Sequence, residues 1–288
     1  MHIHEPLAES AALAYRLAGE LCASGGRDCG WYHGTWQYLR LFNIITSISS
    51  DDDFLLQSFR ELAARKSCYQ RVLISGTADY AMLARLLAAY GDTGNSLQVT
   101  VLDLCPTPLE LNRWYAERCG LEIRTYQGDI LDFNPGSSFD LVCAHSFLGF
   151  FTAEQRNRVV GKWQELLRDG GKIITSQRVR PDHAGPQVRF RAEEIARLRD
   201  RALEMAATAT DLHGVTGEML AGWTERYASN KGGYPVCSER ELAAPFITNG
   251  LRLDYMQAAD ETSRRNDRPA GPWSRCSSRY RIIASRSG

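Results

Sequence analysis

The sequence predicts an α/β fold in which helices cover both faces of a mostly parallel sheet. Between residues 71 and 176, short apolar runs alternate with longer stretches whose apolar residues recur at helical spacing, and this alternation is typical of parallel sheets with crossover helices. Of the 288 residues, 44% are hydrophobic and 24% are charged, as in ordinary globular proteins. A chain of this length can bury about three quarters of the surface that it exposes when unfolded.

Five strands with connecting helices are predicted in this region. The first connecting helix places Met82, Leu83 and Leu86 on one face. The helix before the fifth strand begins with a capping box formed by Thr152 and Gln155. The predicted strands are residues 72–75, 98–102, 122–127, 139–144 and 172–176.

The rest of the chain is predicted to add helices and two further strands. Residues 7–66 carry two or three helices, and the acidic run at 50–53 is expected to cap one of them rather than to bind a metal, because three consecutive carboxylates cannot converge on one ion. Between residues 177 and 234 two helices replace the strand pattern. A further helix then precedes strands at 251–256 and 280–284, which a polar loop joins.

This organisation predicts two units. Residues 1–66 form an N-terminal helical lid segment, and residues 67–288 form the domain that contains the sheet. The two helices at about 177–234 are interpreted as a helical cap inserted into that domain. No internal repeat divides the chain further.

The charges are balanced, with 34 basic and 34 acidic residues, and no long run of one sign occurs. Neither a nucleic acid nor an anionic membrane is therefore expected as a partner. Charged residues interrupt the first 22 positions, so that they lack the apolar core of a signal peptide, and the longest uncharged apolar run is too short to span a bilayer. A cytoplasmic location is expected.

The eight cysteines are scattered along the sequence without a C-x-x-C pair. The sequence therefore shows neither the spacing of a zinc site nor a disulfide framework, and no metal is expected. Most of these cysteines are expected to be reduced, buried and apolar in character.

The resemblance to a known family rests on residues 139–145, on the turn at 166–174 with its Leu-Leu-Arg-Asp-Gly-Gly sequence, and on Asp103 and Asp129 at successive strand ends. In this combination the chain resembles the class I S-adenosylmethionine (SAM) dependent methyltransferases. The resemblance implies a Rossmann-like, doubly wound sheet that is mostly parallel with an antiparallel last strand. It also implies an N-terminal helical segment and an inserted helical cap.

SAM is the cofactor that the resemblance implies, with S-adenosylhomocysteine as product. Ligands of open parallel sheets bind at the carboxyl ends of the strands. Gly76 would let the backbone approach the cofactor, Asp103 would accept the ribose hydroxyls, and Asp129 would accept from the adenine amino group. The implied cofactor-binding residues are Ser75, Gly76, Thr77, Ala78, Asp103, Leu104, Asp129, Ile130, His145 and Ser146.

The loop after the first strand departs from the family pattern acidic-x-Gly-x-Gly-x-Gly. Ile74 stands at the acidic position, and Ala78 and Tyr80 stand at the second and third glycines. Only Gly76 remains, so that the turn is more restricted and a side chain could intrude on the cofactor. Asp79 either replaces the missing carboxylate or caps the next helix.

His145 is the candidate catalytic base, because an imidazole can take a proton from a hydroxyl or amine near neutral pH. It could equally only line the pocket. The aromatic residues at 31–38 either form a box for the sulfonium or an apolar substrate, or attach helices to the sheet. The candidate substrate residues are Trp36, His33, Arg40, Arg178 and Tyr227.

The predicted function is that of a SAM-dependent methyltransferase of EC 2.1.1 type that acts on a small molecule, a specialised metabolite, by direct in-line transfer. A first alternative is a protein of the same fold that binds SAM or S-adenosylhomocysteine and catalyses a non-methylating reaction, such as an elimination or an aziridine-forming ring closure, alone or with a partner subunit. A second alternative is a non-catalytic SAM-binding subunit. Homo-oligomers and a small partner subunit both remain open.

Overall fold

The structure is a computed structural model. It describes residues 3–22, 28–45, 47–65, 70–91, 97–259 and 277–287. Cys68, Cys276 and most of the polar loop predicted before the last strand lie outside these ranges. Among the residues described, no helix has the length and apolar character needed to cross a membrane.

Within the described ranges, seven strands form one sheet, and two short strands form a separate ribbon. The strands are β1 (Arg71–Ser75), β2 (Gln98–Asp103), β3 (Ile123–Gln127), β4 (Phe139–His145), β5 (Leu167–Val179), β6 (Val188–Arg189), β7 (Gly232–Gly233), β8 (Leu251–Ala258) and β9 (Ser278–Arg286). The order in the main sheet is β3-β2-β1-β4-β5-β9-β8. Strands β1 to β5 are parallel, whereas β9 runs antiparallel to both β5 and β8. The predicted fold class is thereby confirmed.

Strand β5 is longer than the segment 172–176 that the sequence predicts. Its residues from Lys172 to Val179 pair continuously with β9. The hydrogen bonds of this partner strand extend β5 past the apolar run that marks it in the sequence.

Ten helices surround the sheet and extend from it in the described part of the chain. They are α1 (Leu7–Leu21), α2 (Gly30–His33), α3 (Trp36–Leu41), α4 (Asp52–Ala63), α5 (Ala81–Tyr90), α6 (Pro106–Arg118), α7 (Ala153–Leu166), α8 (Ala192–Thr208), α9 (Gly217–Asn230) and α10 (Glu239–Thr248). Thr152 and Gln155 form the predicted capping box of α7.

Alternating side chains build one apolar core on each face of the sheet. Val72 and Ile74 of β1 pack in the core that α4, α5 and α6 complete. Leu73 points to the opposite face, where Trp163 of α7 and Phe246 of α10 are fully buried. The result is a layer of helices on each side of a central sheet.

A third core joins the N-terminal helices to the helices α8 and α9. Leu39 of α3 is fully buried in it with Ala202 of α8 and Leu220 of α9, and Trp31 and Trp36 pack at its margin. The aromatic residues at 31–38 therefore contact the inserted helices. Of the two interpretations of this aromatic segment, these contacts support attachment of helices, here to α8 and α9.

Candidate functional site

The ends of three neighbouring strands are hydrogen-bonded to one another. Gly76 follows β1 and donates its N–H to the carbonyl of Leu102 at 2.8 Å, and Thr77 donates to Oδ2 of Asp103 at 2.9 Å. Gly128 follows β3 and donates to the carbonyl of Asp103 at 3.0 Å. The predicted residues Gly76, Asp103 and Asp129 are therefore brought together at one edge of the sheet.

The two carboxylates at this edge retain the capacity to accept further hydrogen bonds. Asp103 receives one N–H on each oxygen, from Thr77 and from Cys105, and Asp129 receives the N–H of Leu131 on Oδ1. Each carboxylate oxygen has two acceptor positions. Burial raises the pKa of Asp103, and His33 and the N–H donors oppose that rise.

The surroundings of these carboxylates fit an adenosine group. Gly76, Thr77, Ala78, Asp103 and Asp129 are all partly exposed, and Leu104 exposes 46% of its surface beside Asp103. A carboxylate for two hydroxyls, a second acceptor for an amino group and an open apolar side chain for a ring are the groups that adenosine requires. These residues would hold the nucleoside part of SAM.

Two of the predicted cofactor residues support the site from the core. The side chain of Ser75 is fully buried and accepts a hydrogen bond from Trp163 Nε1 at 2.9 Å, and Ile130 is buried in the core below the edge. Gly76 has a φ of +73°, and a Cβ atom placed on it would lie 2.2 Å from the Phe147 ring. Glycine is therefore required here by both backbone conformation and space.

The departures from the glycine-rich pattern do not fill the crevice. Tyr80, at the third glycine position, is fully buried: its ring stacks on Tyr115 with centroids 4.4 Å apart, and its hydroxyl lies 2.8 Å from Ser10 Oγ. Ile74 faces the core of the sheet. The side chain that replaces a glycine thus packs between α1 and α6.

Asp79 caps α5 and also forms an ion pair. Its Oδ1 accepts the N–H of Ala81 at 2.8 Å, and its Oδ2 accepts from Arg40 at 2.7 Å and from Trp36 Nε1 at 2.9 Å. Of the two interpretations of Asp79, the structure supports capping. Trp36 and Arg40, which the sequence offers as substrate residues, attach the N-terminal segment to the loop after β1.

This ion pair belongs to a buried network of five charged side chains. Arg40 also contacts Glu5 at 2.6 Å, Glu5 contacts Arg85 at 3.1 Å, and Arg85 contacts Asp52 at 2.7 Å. Burial lowers the pKa of Arg40, but the charges of Asp79 and Glu5 outweigh it and raise that pKa overall. The network connects the start of the chain to α4 and α5.

Asp51 has contacts that the sequence analysis does not predict. It precedes α4, but its side chain makes no capping hydrogen bond, so the capping prediction is wrong for this residue. It is fully buried, and its oxygens contact His145 Nε2 at 3.0 Å, Ser176 Oγ at 2.9 Å and Arg281 Nε at 2.9 Å. Burial raises the pKa of Asp51, but His145 and Arg279 outweigh it and lower that pKa overall.

His145 ends β4 as a neutral imidazole. Burial, which the contact with Asp51 opposes and the charge of Arg279 reinforces, lowers the pKa of His145 to about 4. An Nε2–H that donates to Asp51 leaves Nδ1 as an acceptor. The neighbouring Ser146 has a φ of +55°, and its Oγ accepts a hydrogen bond from Arg279 at 2.9 Å.

Buried arginines lie beyond His145 on β5 and β9. Arg178, a predicted substrate residue, is 4% exposed and donates to Ser277 Oγ at 3.1 Å. Burial, together with the charge of Arg279, lowers the pKa of Arg180 to about 10. Arg178 and Arg180 are therefore buried side chains rather than solvated ones.

Lys231, which the sequence analysis does not single out, follows α9 and contacts Tyr32 of α2. Its Nζ lies 4.5 Å from the ring centre of Tyr32 and 4.4 Å from that of Phe150, which follows β4. Burial lowers the pKa of Lys231 to about 7. Tyr227 is fully packed behind this contact, with its ring stacked on Tyr32 at 6.1 Å.

The strand order of the sheet, with its antiparallel strand β9, matches the fold of the class I SAM-dependent methyltransferases. More particularly, residues 54–171 match the family model described as "Methyltransferase domain". This match spans less than half of the chain; it agrees with the resemblance stated from the sequence and supports SAM as the cofactor. No curated protein matches the sequence.

Solved structures share this fold at low sequence identity. A SAM-dependent methyltransferase from Clostridium acetobutylicum is 11% identical, with 87% of this chain and 96% of that chain covered and a TM-score of 0.54. Geranyl diphosphate methyltransferase is 12% identical, with 83% and 78% covered and a TM-score of 0.50. The pyocyanin biosynthetic protein PhzM is 14% identical over 80% of this chain, which spans only 54% of that chain, with a TM-score of 0.46.

Proposed function

We propose that this protein transfers the methyl group of SAM to a small molecule, a specialised metabolite, by direct in-line displacement. The observation that carries the proposal is the adjacency of Gly76, Asp103 and Asp129 at the ends of neighbouring strands, where all three are partly exposed. Tyr80 supports the proposal because it packs away from this edge.

On the cofactor side, the chain supplies acceptors and an apolar contact. Asp103 accepts the two ribose hydroxyls, Asp129 accepts from the adenine amino group, and Leu104 packs against the ring. When bound, SAM supplies a methyl group on a positively charged sulfur, ready for attack by a nucleophile. The residues of the crevice fix the geometry of the two reactants, which is the main source of acceleration in a direct transfer.

Two side chains are proposed as proton acceptors on the side of the methyl acceptor. Nδ1 of His145 can accept a hydrogen bond or a proton, because Asp51 holds the opposite nitrogen. Lys231 is the better general base at neutral pH, because its pKa of about 7 leaves a large fraction of the amine uncharged, whereas the pKa of His145 is about 4. The shared core of the N-terminal helices and α8–α9 encloses this side and limits access of water.

Calorimetric titration of the full chain with SAM and with S-adenosylhomocysteine tests the cofactor assignment. Binding of both ligands is expected, and absence of binding to either would contradict the proposal. Mass spectrometry of candidate small molecules incubated with protein and SAM then tests transfer, with the gain of one methyl group as the expected result. Binding without a methylated product from any nucleophilic acceptor would favour the non-methylating alternative.

Once an acceptor is identified, the pH dependence of turnover tests Lys231. We expect the rate to rise with pH through about 7 as the amine loses its proton. Lys231→Met should remove that rise, and Lys162→Met, at a partly buried lysine of α7 that pairs with Glu165, should leave it in place. A wild-type profile that is flat across this range would exclude Lys231 as the base.

A further inference from the structure

Three cysteines and one histidine meet beside the end of β2. Cys22 follows α1, and Cys105 precedes α6. Cys29 directly precedes α2, and His33 is its last residue. Their ligand atoms all lie within 4.8 Å of one another. Cys105 stands 83 positions after Cys22, so that only the folded chain brings this cluster together.

The distances in the cluster match a tetrahedral metal site. The Sγ atom of Cys105 lies 3.6 Å from those of Cys22 and Cys29, and Nδ1 of His33 lies 3.8 Å from Sγ of Cys22. In a tetrahedral zinc site with Zn–S bonds of about 2.3 Å, neighbouring sulfur atoms are about 3.8 Å apart. Three thiolates and one imidazole are a common ligand set of structural zinc.

The surroundings hold the ligands in place. Cys22, His33 and Cys105 are buried, and Cys29 is partly buried. Thr107 Oγ1 lies 3.3 Å from Cys22 Sγ and can donate to that sulfur, while the ring of Tyr32 packs edge-on against His33 with centroids 5.0 Å apart. Such outer contacts orient metal ligands and fix the imidazole ring.

A metal accounts for this cluster better than a disulfide does. All three cysteines are free thiols, and Cys105 lies at the same distance from the two others. A disulfide would pair two sulfurs and leave the third thiol and the imidazole of His33 packed against it without a role.

We propose that Cys22, Cys29, His33 and Cys105 bind one Zn²⁺ ion. The four protein ligands complete a tetrahedron, so that the ion is structural. The ion attaches α1 and α2 to Cys105, which lies two positions after Asp103. Cys105 also donates its N–H to the Asp103 carboxylate. The zinc site thereby joins the N-terminal segment to the strand end at which the ribose is expected.

Metal analysis of the purified full chain tests this proposal. Inductively coupled plasma mass spectrometry is expected to find about one zinc ion per chain, since a closed site of this kind binds tightly. Cys29→Ser should lose most of this zinc. The control Cys119→Ser, at an exposed cysteine outside the cluster, should keep it.

A second measurement covers variants that fold poorly. Co²⁺ added to metal-free wild-type protein should produce the intense thiolate-to-cobalt and tetrahedral absorption bands, and Cys29→His should retain bound metal with weakened charge-transfer bands. Three results would each overturn the proposal: no zinc and no cobalt bands in the wild type, full zinc content in Cys29→Ser, or a disulfide among these cysteines in protein that was alkylated without reduction. None of these readouts depends on methyl transfer.

Discussion

Arg40 and Asp79 form a buried ion pair, with Nη1 of Arg40 2.7 Å from Oδ2 of Asp79 and both side chains 4% exposed. The pair connects α3 to the loop after β1, where related proteins carry glycines and this chain carries larger residues. The loop is therefore held in place by a side chain from the N-terminal segment.

Removal of Arg40 should strongly destabilise the protein. Arg40→Ala leaves Asp79 and Glu5 buried without their shared cation, and loss of one partner of a buried pair costs about 3–5 kcal/mol. Urea unfolding measures the change. The control Arg16→Ala breaks an exposed pair with Glu20 and should change the free energy of unfolding by about 0.5 kcal/mol or less. Equal effects of the two substitutions would contradict a stabilising role of the buried pair.

Substitution of Asp103 should weaken SAM binding while the fold persists. Asp103→Asn removes the charge but keeps one acceptor oxygen. Hydrogen bonds to charged groups contribute about 1.5–3 kcal/mol, so that the dissociation constant should rise about 10- to 100-fold. Calorimetry measures the affinity, and circular dichroism checks the fold. Asp182→Asn, at an exposed carboxylate beyond β5, is the control, and unchanged affinity in Asp103→Asn would refute the placement of the ribose.

A methyl group on Gly76 should destabilise the fold more than the same change at Gly120. Both glycines have positive φ, +73° and +66°, so that alanine is strained at either position. Only at Gly76 does the added Cβ meet a neighbour, the Phe147 ring at 2.2 Å, whereas Gly120 has nothing within 4 Å. We expect Gly76→Ala to lower the free energy of unfolding by about 2 kcal/mol more than Gly120→Ala. A smaller effect at Gly76 than at Gly120 would show that the ring moves aside without loss.

Acidification should destabilise the protein through His145. Burial is the main reason that the pKa of His145 is lowered from 6.5 to about 4, so that between these values the unfolded chain binds a proton that the folded chain does not. The stability contribution is complete above pH 6.5 and is lost as the pH falls toward 4, by up to about 3 kcal/mol. Urea unfolding at a series of pH values measures this loss.

Variants separate this effect from other titrating groups. His145→Asn should flatten the pH dependence between 6.5 and 4, whereas the control His213→Asn, at a histidine outside the sheet, should retain it. Because the pKa of Asp51 is itself lowered, its own protonation belongs to a more acidic range. An equal slope in His145→Asn and in the wild type would show that His145 does not titrate in this window.

The sheet was predictable from the sequence because its signals are local. The apolar run around Leu73, the capping residue Thr152 and the strand-end carboxylates Asp103 and Asp129 are each recognisable from a few neighbouring positions. The role of Asp51 was not predictable, because its partners His145, Ser176 and Arg281 lie 94, 125 and 230 positions away.

The same limit applies to the altered loop and to the cysteines. Whether Tyr80 enters the crevice is decided by Ser10 and Tyr115, which the fold places beside it. Cys29 and His33 are four positions apart, but Cys105 meets Cys22 and Cys29 only in the folded chain, so that the sequence does not show the complete ligand set. Contacts between distant segments, rather than weak local signals, account for what the sequence does not predict.

The methyltransferase-domain match begins at residue 54. Charged side chains that precede this residue pair with side chains inside the matched region. Asp79 and Arg85 lie after residue 54, yet their partners Arg40, Glu5 and Asp52 lie before it. A fragment limited to residues 54–171 would contain buried charged side chains without the partners of opposite charge that they have in the full chain. The start of the matched region, residue 54, is therefore not a position at which the chain can be truncated without loss of buried ion pairs.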